Sequence, residues 1–134
     1  MTKEAAPDLS QFLLSPTGRV EISLPNGDPM MYQGQQVVVH VFSPASKEHA
    51  RAQANLQRSV RDRLFGNKRN VADAEEEAEI DARFLSAVTS SVENFPWPGG
   101  VEAMYRERGL SYIGEQVRAY LNDAGNFYKP SKAS

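Results

Sequence analysis

Ser43-Pro44-Ala45-Ser46-Lys47-Glu48 (SPASKE, residues 43–48) separates two kinds of sequence pattern, and reading it decides the fold. A serine followed by proline at the first helical position is a helix start. The serine oxygen can accept from a free first-turn amide, and proline lacks a donor that this position would leave unused. Upstream of it the period is two: Arg19 to Leu24 (RVEISL) alternates apolar and polar residues, and Gln36 to Phe42 (QVVVHVF) is rich in β-branched side chains. Between these strands, Pro25-Asn26-Gly27-Asp28 carries the Asn-Gly pair favoured in tight turns, while Pro29 restricts where pairing can resume. Met30-Met31-Tyr32 suits either a short third strand or a longer connection. The product is a small N-terminal antiparallel sheet or hairpin.

Downstream the period becomes that of a helix. His49, Gln53, Leu56, Val60 and Leu64 recur every three or four residues, with Ala50, Ala52 and Ala54 keeping the early surface thin. This helix should stop near Phe65-Gly66-Asn67, where Gly66 can take a left-handed conformation. Asp73 is the cap expected for the next helix, whose stripe is Ile80, Phe84, Val88 and Val92 with Ala87 beside it, running up to Glu93-Asn94-Phe95-Pro96-Trp97-Pro98-Gly99-Gly100. That stretch, ENFPWPGG, cannot be helical, because its prolines lack amide donors and bias their predecessors away from the α region. A short helix over Val101 to Arg108 should end at Gly109, and a last one should begin near Ser111 and carry Ile113, Val117, Tyr120, Leu121 and Ala124. The class is therefore α+β and mainly α: a small N-terminal sheet, then about four helices, in a single domain over 1–134. Residues 1–10 and 129–134 have the composition of flexible ends.

The composition excludes more than it selects. The chain has 134 residues, no cysteine and a formal net charge of −2, so disulfides, thiolate catalysis and cysteine-type zinc sites are ruled out, and no global attraction to nucleic acid is expected. The N-terminus, MTKEAAPDLSQ, lacks the apolar centre of a signal peptide, and no apolar run is long enough for a membrane span. A cytoplasmic protein is expected. His40 and His49 fall one in a strand and one in a helix start, without a metal or catalytic motif around them, so neither an enzyme nor a cofactor or metal is expected.

The charges are segregated. Lys47, Arg51, Arg58, Arg61, Arg63, Lys68 and Arg69 crowd the first long helix and its exit, whereas Asp73, Glu75, Glu76, Glu77, Glu79 and Asp81 open the next, where the helix dipole favours acids. The simplest reading is a helical hairpin whose solvated faces compensate each other, each exposed pair being worth about 0 to 1 kcal/mol. The sharper reading is that Arg58, Arg61 and Arg63 of one copy meet Glu75, Glu76 and Glu79 of the next, joining copies head to tail. Trp97 likewise has two readings, a wedge at the junction of the last helices or an exposed anchor for a partner, with Tyr105 as a second apolar contact.

From Ser43 to Phe127 the order of parts resembles the tail assembly chaperones of long-tailed, non-contractile bacteriophages. The resemblance is carried by the strand ending in Ser43-Pro44-Ala45-Ser46, the basic helix, the acidic helix and the FPWPGG break. After these come the Tyr105-containing short helix and a final Gly114-Glu115-Gln116-Val117 helix closing on Gly125-Asn126-Phe127. It implies a non-enzymatic protein of the host cytoplasm, absent from the mature virion. Such a protein would bind the tape measure protein, keep it soluble and recruit major tail tube protein subunits. It would form a homo-oligomer, without nucleic-acid or membrane partners. It further implies a longer product made by ribosomal frameshifting, departing after Phe127. The alternative class is a structural virion component, such as a head-to-tail connector or tail terminator.

Overall fold

The computed structural model describes residue 9, residues 12–65 and residues 72–128, with backbone alone for 72–74. Five strands and four α-helices follow in the order β1 (Thr17–Glu21), β2 (Met31–Tyr32), β3 (Gln35–Gln36), β4 (Val38–Phe42), α1 (Lys47–Phe65), α2 (Ala72–Ala87), β5 (Thr89–Glu93), α3 (Val101–Arg106) and α4 (Ser111–Leu121). The fold is α+β and mainly α, with a small antiparallel sheet near the N-terminus, as the two sequence periods predict. The expected flexible ends fall largely outside the described residues.

β4 is the central strand, flanked by β1 and β5, both antiparallel to it. Its β-branched run reads directly into burial: Val39 and Val41 are fully buried, and the row Val20–Val39–Val92 crosses all three strands on the core face. Met31–Tyr32 pairs with Gln35–Gln36, so the segment that suited either a strand or a connection forms a two-stranded hairpin of its own. The sheet's core face packs on α2, α3 and α4 through Phe84, Leu85, Val88, Met104, Ile113 and Val117.

The sheet and α4 are joined by polar contacts as well as apolar ones. The Gln116 side chain accepts from Ser23 N–H and donates to Ser23 C=O, both at 2.8 Å, so an amide on a helix completes the backbone pairing of a strand extension. Gly18 lies under the Tyr120–Phe127 pair, and a Cβ there would come within 2.6 Å of a ring carbon of each. Only glycine permits that approach without displacement.

Several boundaries differ from expectation: α3 ends at Arg106, short of Arg108, and α4 ends at Leu121, leaving Ala124 in a separate 3-10 turn. α1 starts at Lys47, one turn later than a Ser43 cap implies: Ser46 Oγ accepts from His49 N–H at 3.1 Å, while Ser43 Oγ accepts from Ala45 N–H at 3.0 Å and Pro44 sits in the turn between. α2 is helical from Ala72, ahead of Asp73; the Asp73 side chain and the stop at Gly66-Asn67 lie outside the described residues. The largest correction concerns Val88 and Val92. The helix ends at Ala87, and Thr89–Glu93 crosses to become the third strand. The Val88 carbonyl accepts from Phe42 N–H at 2.8 Å instead of continuing the helix, and Thr89 Oγ1 donates to the Leu85 carbonyl at 2.8 Å. A Thr-Ser-Ser-Val run has low helix propensity, and pairing with the apolar β4 adds to that preference for a strand.

Candidate functional site

α1 and α2 form an antiparallel hairpin. Arg63, near the end of α1, meets Glu77, near the start of α2, at 2.8 Å, while Ala52 and Ala87 border the same groove at the other end. This groove, roughly 390 Å³, has Ala52, Leu56, Ile80 and Phe84 as its apolar floor and Arg58 and Arg83 on its rim. Only Ala52 of α1 is fully buried. Beyond Leu56 its apolar stripe emerges into solvent, with Leu64 at 64% and Phe65 at 82% exposure.

The charged residues singled out in the sequence divide between internal and external use. Arg63 spends its guanidinium on Glu77 within the chain, and its Nε has no hydrogen-bond partner among the described residues. Arg58 is exposed and donates to Asn55 Oδ1 at 2.9 Å, one turn back on the same helix. Arg61 is exposed and makes no ion pair among the described residues. Glu75 and Glu79 are exposed and Glu76 half-buried, again without an ion pair to a described residue. The hairpin thus uses one basic–acidic contact internally and leaves Arg58 and Arg61 on one helix and Glu75 and Glu79 on the other facing solvent.

The two aromatic candidates sit in different environments. Trp97 is half-buried against the core and stacks on Phe95 with ring centroids 5.7 Å apart. The Tyr105 hydroxyl meets Thr89 Oγ1 at 2.6 Å. Because the Thr89 proton goes to the Leu85 carbonyl, Tyr105 is the donor in that pair. Burial pushes the Tyr105 phenol up to about 12. Tyr105 therefore braces α3 against the α2–β5 junction.

His40 lies on the outer face of the sheet, where its Nε2 contacts Glu93 across the strands. His49 lies in a separate cleft of about 300 Å³ between α1 and the end of α4. There it packs edge-on against Phe84 at 5.7 Å between centroids, and burial holds its pKa below the ordinary 6.5. Arg118 stands over the same Phe84 ring at 5.9 Å and pairs with Asp81 at 3.0 Å. Among the described residues no cluster of three or more histidine or acidic side chains could hold a metal, and no helix is long and apolar enough to cross a membrane.

Sequence reasoning missed one feature, the open edge of β5 beside Tyr32 and Phe95, because it placed Thr89–Glu93 in a helix. The alternation of Thr89, Ser91 and Glu93 with Val92 was the available signal. The chain matches no protein-family model, and comparisons with curated proteins and with solved structures give no significant match.

Proposed function

We propose that this chain is an assembly chaperone for the tail of a long-tailed, non-contractile bacteriophage. In this reading it binds the tape measure protein, keeps it soluble and recruits tail tube subunits in the host cytoplasm. Copies associate head to tail through the basic face of α1 and the acidic face of α2. The observation that carries the reading is the hairpin itself: α1 extends a basic and apolar surface, with Arg58, Arg61, Leu64 and Phe65 exposed, beside a helix that exposes Glu75 and Glu79. Opposite charges on two faces of one body favour open, heterologous association, and exposed apolar residues supply the contact area that charge alone does not. With Arg63 engaged by Glu77, the intermolecular role falls to Arg58 and Arg61.

Two measurements test this. Arg61→Glu should lower oligomer size and client binding together, and adding Glu79→Arg should restore both; unchanged behaviour in Arg61→Glu refutes the electrostatic joint. Gentle purification of the tagged protein from its native gene cluster, followed by mass spectrometry, should recover a very long helical protein and a tail tube protein. Recovery in finished particles at fixed stoichiometry would make the chain a structural virion component instead.

A further inference from the structure

We propose that the open edge of β5, with the bend that follows it and the β2–β3 hairpin, is a docking site for an uncharged, extended segment of a partner protein. The occupant is specified by main-chain chemistry. Phe42 N–H donates toward β5, so by the alternation of an antiparallel ladder His40 and Val38 also face β5, opposite Ser91 and Glu93. Val92, between those two, turns its own N–H and C=O to the open side, where no described strand pairs with it. A row of unpaired backbone groups is complementary to another backbone, which selects a peptide over a lipid or a nucleic acid.

The surroundings narrow the choice. Val92 opens onto a cleft of about 390 Å³ with Tyr32, Phe95 and Pro96 as apolar surfaces and the amides of Gln33, Gln35 and Asn94 around them. None of these side chains carries a formal charge, so a charged segment would leave water without gaining a counter-charge. Tyr32 and Met31 are 40% and 52% exposed, and Tyr32 meets Phe95 edge-on at 6.5 Å, so the aromatic series continues inward through Phe95 to Trp97. Asn94 Nδ2 donates to the Gln36 carbonyl at 2.8 Å, fixing the bend against the root of the hairpin and holding the cleft walls in register. A second copy's β5 is flanked by the same hairpin and bend, which would have to enter with it. The Asn-Phe-Pro-Trp bend thus builds a site with its outer residues while Trp97 supports it from the core side. This site is independent of the α1–α2 hairpin and of the phage reading.

The test is to select a random displayed peptide library on the full chain and titrate the enriched synthetic peptides into isotope-labelled protein. The expected result is enrichment of uncharged segments that slow exchange of the Val92 amide by about tenfold or more, with binding weakened about tenfold or more by Tyr32→Ala. Tyr32→Ala removes an exposed side chain and should keep the wild-type circular dichroism and Tm; Val92→Pro, which deletes the outward amide, should abolish binding. No enrichment, peptides that bind without protecting Val92, or affinity unchanged in Tyr32→Ala would each overturn the proposal. So would concentration-dependent protection of Val92 without peptide, which makes a second copy the occupant.

Discussion

Tyr105→Phe separates a bracing role for this tyrosine from a partner-binding one by its pH profile. The phenol is pushed up from 10.0 to about 12, mainly by burial. Since one pKa unit corresponds to 1.36 kcal/mol, the two-unit difference between folded and unfolded states links up to about 3 kcal/mol of stability to this proton. The folded pKa is the higher one. The contribution is therefore complete below pH 10, where both states are protonated, and is lost progressively as pH rises from 10 to 12, where the unfolded chain ionises first. Replacing the hydroxyl by hydrogen removes that linkage. At neutral pH the same substitution removes one hydrogen bond at a cost of about 1 kcal/mol, because Thr89 keeps its donor bond to the Leu85 carbonyl. Urea denaturation followed by circular dichroism at a series of pH values from neutral to 12 gives both quantities. Tyr105→Phe should be the less stable protein at neutral pH and should lose less on going alkaline, so the two curves converge or cross. Parallel curves would mean that Tyr105 ionises in the folded state as it does unfolded, and the bracing role would fail.

Trp97→Ala should cost about 2 kcal/mol, less than the 3 to 5 of a fully buried tryptophan, because Trp97 is only half-buried; thermal denaturation checks this, and an unchanged Tm would make it purely a contact residue. Gly18→Ala should destabilise by about 1 to 3 kcal/mol, since its Cβ would lie 2.6 Å from Tyr120 and Phe127 carbons; a neutral effect in urea titration would mean that the two rings move aside freely. Acidification should destabilise the fold through His49. Its folded pKa lies below 6.5, so stability is unaffected above that value and falls as pH drops below it, when the unfolded state takes up the proton first. In His49→Gln the acid loss should be smaller, measured by urea midpoints between neutral pH and pH 5.

The parts of the fold legible in the sequence are those where local pattern and tertiary context agree. Val39 and Val41 flank His40 with period-two spacing and are buried in β4, and Ile113, Val117 and Leu121 at helical spacing are the buried face of α4. Contacts between distant residues left weaker traces. Gln116 looks like an ordinary helix-surface glutamine until Ser23 is known to lie beside it, and Gly18 looks like a strand glycine until Tyr120 and Phe127 close over it. α1 shows the reverse case: its apolar series Leu56, Val60 and Leu64 is regular, yet the stripe runs past the body it packs against, so periodicity alone overstates its burial.

The misreading of Thr89–Glu93 has a physical cause that bears on function. Ile80, Phe84, Val88 and Val92 keep a four-residue spacing, and Val88 and Val92 both reach the core although one ends a helix turn and the other lies in a strand. Spacing therefore could not locate the transition; the Phe42 N–H that β4 offers to the Val88 carbonyl did. Once the chain leaves the helix there, it pairs with the free side of β4 and becomes a sheet edge. The Asn-Phe-Pro-Trp bend then turns the chain at the end of that edge and sets Phe95 against Tyr32 of the hairpin. A helix continuing to Val92 would have kept its amides internally bonded and presented no main-chain groups to a partner. The same early helix stop that defeats the periodicity argument is what creates the open strand, so the least legible segment of the sequence is also one that presents a strand edge unpaired by any described strand.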